Sequence, residues 1–203
     1  MRKLLLTTAI LASMIIGAQA NEGDLLLRLR AIDVIPDENS HTSIGGYVDA
    51  DFSIVPEVDV TYFFTDNIAA ELIAATSKHD VSAKNTTLGD LDLGEVWVLP
   101  PTLTLQYHFV NESCFKPYVG AGVNFTYFYN DKAGSSINTI EYDHSFGPAL
   151  QAGVDYKIDD KYSLNLDVKK VWMNTDVKIN GGAVTADVDL DPWIVGVGIG
   201  YTF

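Results

Sequence analysis

The sequence predicts an all-β chain: an eight-stranded antiparallel transmembrane β-barrel with short periplasmic turns and long external loops. Three observations lead there. Beyond residue 20 no convincing apolar pattern recurs at i, i+3, i+4 and i+7. Instead, eight segments alternate large apolar residues with small or polar ones, the pattern of a strand with two unlike faces. The connections between those segments alternate between short and long, as periplasmic turns and external loops do in bacterial outer-membrane barrels.

The first element is an address. Met1, Arg2 and Lys3 form a basic head, Leu4 to Ile16 an apolar stretch, and Ala18-Gln19-Ala20 a small-x-small end, so residues 1–20 read as a signal peptide cleaved after Ala20 and 21–203 as the barrel. The apolar stretch is shorter than the roughly 20 residues that a spanning helix needs. Export to the outer membrane is the expected consequence.

The strands follow in order. Leu25, Leu27 and Leu29 alternate with Leu26, Arg28 and Arg30, and Val58, Val60, Tyr62 and Phe64 with Glu57, Asp59, Thr61 and Phe63. Ile68 to Ser77 is a weaker, Ala-rich segment. Leu103, Leu105, Tyr107 and Phe109 alternate with Thr102, Thr104, Gln106 and His108, and Val119, Val123, Phe125, Tyr127 and Tyr129 with Gly120, Gly122, Asn124 and Thr126. Phe146 to Ile158 and Tyr162 to Lys169 repeat the division. The last segment shows it best: Trp193, Val195, Val197, Ile199, Tyr201 and Phe203 occupy one parity, Gly196, Gly198 and Gly200 the other. The apolar parity should face lipid, with the glycines as small lumen positions where a serine at 198 is tolerated. Strict alternation turns Lys170 toward lipid, so either the membrane band ends there or a bulge changes the parity.

Short connections fall at Thr65 to Asn67, Val110 to Cys114 and Asp159 to Lys161, and long ones at Pro36 to Ser53, Lys78 to Glu95, Asn130 to Asp143 and about Asn180 to Ala186. Aromatics including Trp97, Tyr107, Tyr127, Tyr156 and Trp193 gather near segment ends, where an interfacial girdle places them. A soluble sandwich would also alternate, but its connections have no reason to do so.

Composition narrows the functions. The 203 residues carry 27 acidic against 13 basic side chains, a formal charge of −14 that disfavours nucleic acid as a partner. Three Trp, ten Tyr and nine Phe are too much apolar surface for a disordered chain. A single cysteine, Cys114, excludes an internal disulfide framework.

The runs LGEVWVLPPTLTLQYHF from Leu93, KPYVGAGVNFTYFY from Lys116 and LDPWIVGVGIGYTF from Leu190 resemble the OmpW family of small outer-membrane proteins across nearly the whole mature chain. Pro100-Pro101-Thr102, Pro117-Tyr118 and Asp191-Pro192-Trp193 are the more specific points. The resemblance implies an eight-stranded barrel with a narrow, largely apolar channel for small hydrophobic compounds. Tyr201 and the terminal Phe203 resemble the signal read by the barrel-assembly machinery.

No catalytic or cofactor pattern stands out. His41, His79 and His144 fall in or beside long connections and read as solvated, and no G-x-S-x-G turn marks a nucleophile. Asp187, Asp189 and Asp191 lack the glycine and glutamate that complete a calcium loop. The chain is therefore expected to be neither an enzyme nor a metal or cofactor carrier.

The lumen parity carries the candidate sites. Arg28, Arg30, Glu71, His108, Lys116, Asp155, Lys157 and Asp167 form a polar plug toward the periplasmic half, where charges of both signs should pair, Arg28 and Lys116 with acids such as Asp155 and Asp167. Ile32, Val34, Phe128, Leu190 and Ile194 form an apolar pocket above it. The expected function is a conduit or binding pocket for small hydrophobic molecules that leave sideways into the membrane, with outer-membrane lipid and lipopolysaccharide as surroundings. The alternative is a sealed interaction barrel whose acidic external loops bind partners.

Overall fold

The computed structural model describes residues 21–35, 39–42, 47–50, 53–87 and 89–203. The leader expected over residues 1–20 lies outside the described residues, as do parts of the first long connection. In chain order the strands are β1 (Leu25–Ile35), β2 (Asn39–Thr42), β3 (Tyr47–Ala50), β4 (Ser53–Phe63), β5 (Ile68–Ala75), β6 (Ser77–Thr86), β7 (Gly89–Leu99) and β8 (Thr102–His108). They continue as β9 (Phe115–Ala133), β10 (Ile140–Tyr142), β11 (Ser145–Lys157), β12 (Tyr162–Val171), β13 (Asn174–Ile179), β14 (Val184–Asp189) and β15 (Trp193–Thr202).

Eight of these form a closed antiparallel barrel in the order β11-β12-β15-β1-β4-β5-β8-β9, with β9 returning to β11. Closure leaves no unpaired barrel edge, the condition for crossing hydrocarbon with strands. The first and last strands pair from Leu26↔Thr202 to Ile35↔Trp193. Outward residues such as Leu105, Val197 and Ile199 are more than half exposed, while Arg28, Asp59, Thr61 and Glu71 are inaccessible. The period-two reading therefore gives both the strands and their lipid and lumen faces.

β12 keeps its register against β11 and β15 as far as Lys170, without a bulge. Lys169 thus faces the lumen. Lys170 faces outward, and its ammonium donates to the Asp191 carbonyl and sits 5.2 Å from the Trp193 ring centre. The lysine lies at the upper edge of the strand, where an interfacial anchor belongs.

The small parity of β15 has a packing reason. A Cβ on Gly198 would stand 2.3 Å from the Leu29 carbonyl oxygen and 2.6 Å from Arg30 Cγ. Serine at 198, expected to be tolerated, has no room. The position is glycine because the Arg30 stem crosses it on its way into the lumen.

The connections divide as expected, but the long ones are not irregular. β6 and β7 form a hairpin that β7 attaches to the upper part of β9, with β3 at its edge. β10, β13, β14 and β2 form a separate four-stranded sheet. Their inner faces carry Val81, Leu93, Val96, Phe128, Val177, Ile179 and Val188, which pack into one apolar cluster above the barrel. Three periplasmic turns are short and held by their own side chains. In one, Asp159 Oδ1 accepts the amides of Lys161 and Tyr162 at 2.8 and 2.7 Å.

One wall is interrupted. β5 pairs with β8 as far as Ile73↔Thr102, and β6 pairs with β7 from Ser77↔Val98, two stretches in the same register. Between them Ala74, Ala75 and Thr76 face Pro101, Pro100 and Leu99 without ladder pairing. Two consecutive prolines have no N–H to give, which accounts for the gap. It lies level with outward Phe125, whose amide bonds the Pro101 carbonyl at 3.0 Å.

Candidate functional site

Three layers fill the lumen. At the periplasmic end Leu26, Phe63 and Ala69 pack together, and His108 lies between the Phe63 ring, 4.7 Å away, and the Tyr118 ring, stacked at 5.0 Å. His108 Nε2 is 2.9 Å from Gln106 Oε1. Lys157 donates to Thr202 Oγ1 at 3.3 Å and Lys116 to the Asn111 carbonyl at 2.6 Å, both at this lip.

Above it, strand alternation aims charges from five strands at one point. Arg28 meets Asp155 through two contacts of 2.9 and 3.2 Å, Asp59 at 3.0 Å and Glu71 at 3.3 Å. Arg30 lies 2.9 Å from Glu71, and 2.7 Å from both Glu57 and Asp59 in ionic contacts that are off the hydrogen-bonding direction. Lys169 bridges Glu57 at 3.0 Å and Asp167 at 2.8 Å. Neutral donors meet lone pairs of three of the acids: Thr104 and Gln106 on Glu71, Tyr118 and Gln151 on Asp167, and Asn165 on Asp155. Such pairing of opposite charges, backed by neutral donors, is what a desolvated charge network requires. Glu57, Asp59 and Lys169 were absent from the plug expected from sequence, although all three share its parity.

The third layer is a cavity of about 220 Å³. Ile32, Val34, Phe128, Leu190 and Ile194, the five residues of the expected pocket, all line it. Val81, Leu93, Val96, Val177 and Val188 from the external hairpins line it too, so its upper wall is built partly from the expected connection Lys78 to Glu95 and partly from strands flanking the others. Those hairpins do carry a signal, the short period-two runs Val81-x-Ala83, Val96-x-Val98 and Val184-x-Ala186-x-Val188. Glu57, Lys169, Thr102 and Asn124 line it at the level of the plug.

Ile73, Ala75, Ser77, Val98, Pro100 and Thr102, which flank the wall interruption, also border the cavity. One side-chain contact reaches across on the outside: Thr76 Oγ1 lies 2.7 Å from the Tyr129 hydroxyl. Higher up, Ser77 Oγ is 2.8 Å from His79 Nε2, and Tyr142 stacks on Phe128 with ring centres 5.6 Å apart. Burial pushes the Tyr142 hydroxyl above its ordinary pKa, helped by the Asp131 charge. Tyr201 and Phe203 meet edge to face at 4.8 Å at the periplasmic end of β15. No group of three or more metal-ligating side chains occurs among the described residues.

The OmpW family profile matches residues 21–203. Outer membrane protein W of Escherichia coli strain K12 is 34% identical over 220 residues, covering 100% of both chains. The dibenzothiophene metabolism operon protein PahQ of Pseudomonas aeruginosa is 27% identical over 161 residues, covering 78% of this chain and 76% of its own. Among solved structures, the outer membrane protein OprG from Pseudomonas aeruginosa superposes with a TM-score of 0.85 at 31% identity, covering 93% of this chain and 99% of that one.

Proposed function

The chain belongs to the OmpW family of outer-membrane barrels, and from that premise we propose that it binds small hydrophobic molecules in the upper lumen and releases them sideways into the membrane. The observation that carries this reading is the apolar cavity resting on a lumen closed by paired charges. An apolar solute gains about 25 cal/mol for each Å² kept from water, so entry from outside is favourable and passage through the plug forfeits the gain. The interruption at Ala75 and Pro100 offers the other way out, because there the wall lacks the backbone bonds that hold it elsewhere. A relative named for a dibenzothiophene metabolism operon accords with apolar cargo.

The role is one of binding and passage without a catalytic step. The precursor is cut after Ala20, the barrel-assembly machinery reads Tyr201 and Phe203, and the outward belt sits among lipid and lipopolysaccharide. The experiment is uptake and equilibrium binding of a fluorescent alkyl probe by the barrel in lipid, beside an Asp49→Asn variant. Binding by the wild type that Asp49→Asn leaves unchanged is expected. No binding by the wild type would leave the sealed interaction barrel as the better account.

A further inference from the structure

The floor of the cavity is not apolar. Glu57 is 2% exposed, stands on β4 opposite Ala75 and borders the cavity together with Lys169. Both of its contacts, with Arg30 Nε at 2.7 Å and Lys169 Nζ at 3.0 Å, fall on Oε1. Its second carboxylate oxygen, Oε2, has no hydrogen bond from any described residue. Asp59 shares this pattern, its hydrogen bonds from Arg28 and Thr61 both falling on Oδ1, but only Glu57 of the two borders the cavity. Glu71, Asp155 and Asp167 receive donors on both oxygens. A carboxylate oxygen without a protein donor at the edge of the cavity can take a hydrogen bond from a donor that a ligand brings.

The sign of the surroundings adds to this. The connected network joins the carboxylates of Glu57, Asp59, Glu71, Asp155 and Asp167 to the cations Arg28, Arg30 and Lys169. Acids outnumber cations in it, so the floor disfavours an arriving anion and favours a proton donor or a cation. Ile32, Ile73 and Ile194 rise around that point as a wall for a hydrocarbon tail.

We infer that Glu57 reads the polar end of the solute, so that the cavity takes short-chain alcohols and alkylammonium ions, head down on Glu57 and tail toward the outside, ahead of plain alkanes and carboxylates of the same length. This rests on the upper lumen binding apolar molecules and names the class among them. It also places the head group beside the Ala75 and Pro100 interruption, where a solute must turn to leave through the wall.

The test compares octane, 1-octanol, octylamine and octanoate as competitors of a fluorescent alkyl probe, with protein in lipid nanodiscs and empty nanodiscs subtracted. Octanol and octylamine are expected to displace the probe at concentrations at least about tenfold lower than octane and octanoate, the advantage of one hydrogen bond to a charged acceptor. Glu57→Gln, which keeps the shape, should shrink the octylamine advantage over octane at least severalfold. Equal displacement by octane and octylamine, or a preference for octanoate, overturns the inference while apolar binding stands. Failure of all four compounds to displace the probe overturns it together with the proposed function. The wild-type series decides the matter even if Glu57→Gln does not fold.

Discussion

Arg28 and Asp155, 127 residues apart in the chain, meet across the lumen through two parallel contacts, Nη2 to Oδ2 at 2.9 Å and Nε to Oδ1 at 3.2 Å. The pair joins β1 to β11, which stand three strands apart around the barrel, so it braces the cylinder across the lumen. Asp155→Asn should lower unfolding stability in lipid by about 3–5 kcal/mol if the plug is dry, since Arg28 stays buried with its charge incompletely met. A double-mutant cycle with Arg28→Met should recover much of that loss as coupling energy. Coupling near zero would mean that water enters the plug and screens it.

Orientation of the faces gives a second expectation. Val197 is 57% exposed at the middle of β15, whereas Gly198 beside it has no space for a side chain. Val197→Arg should cost about 2–4 kcal/mol in refolding into bilayers, the penalty of a cation near the midplane. Gly198→Ala should also destabilise, for the different reason that Leu29 and Arg30 must move. Urea midpoints in short-chain lipid would separate the two, because thicker bilayers should aggravate only the arginine variant.

That pair of residues also marks how far the sequence could be read. Alternation of Trp193 to Phe203 against glycine makes the lipid face legible, and Arg28 with Arg30 makes a charged lumen legible. What alternation cannot supply is distance: which acid each arginine meets depends on strand stagger around a closed cylinder, which one strand does not encode. Val81, Val96 and Val188 were hidden for another reason. Their runs are short and flanked by acids, and only the packing of separate hairpins on one another turns them into the upper wall of the cavity.

Tyr142 offers a stability gain. Its hydroxyl is buried without a hydrogen-bond partner among the described residues, while its ring is stacked on Phe128. Tyr142→Phe keeps the stack and removes the unmet group, so the external sheets should become more stable by roughly 1 kcal/mol. Amide exchange in β9 and β10 should slow. Faster exchange would show that the hydroxyl is bonded in the membrane-bound protein.

The external hairpins should loosen in acid before the barrel does. Backbone and side-chain hydrogen bonds from Ser135 hold the Asp92 carboxyl below its ordinary pKa, and the hydrogen bond from Lys78 does the same for Glu95. Depressed folded values mean that these clasps contribute fully above the unfolded pKa values, about 3.9 and 4.3, and are lost as pH falls through the lower folded ones. Exchange at the Gly94 and Ser135 amides, both bonded to Asp92, should rise below about pH 4 while that of β1 and β15 stays slow. Simultaneous loosening of barrel and hairpins would contradict the assignment.

The proposed sideways exit can be tested by a chemical closure. Ala75 and Pro100 face each other in the register shared by the flanking ladders, with no backbone bond between them. Cysteines at both positions, in a Cys114→Ser background to remove the native thiol, should oxidise to a disulfide if the gap is as narrow as the register implies, because bridging needs Cα atoms within about 7 Å. Binding of a fluorescent alkyl probe should survive oxidation, since the cavity is untouched, while transfer of the probe into the surrounding lipid should fall and return on reduction. Tyr129→Phe, which removes the hydroxyl held 2.7 Å from Thr76 Oγ1, should act in the opposite sense and speed transfer. If the disulfide forms and transfer continues at the wild-type rate, molecules leave by another path, and the interruption at the two prolines is only a place where the ladder could not be made.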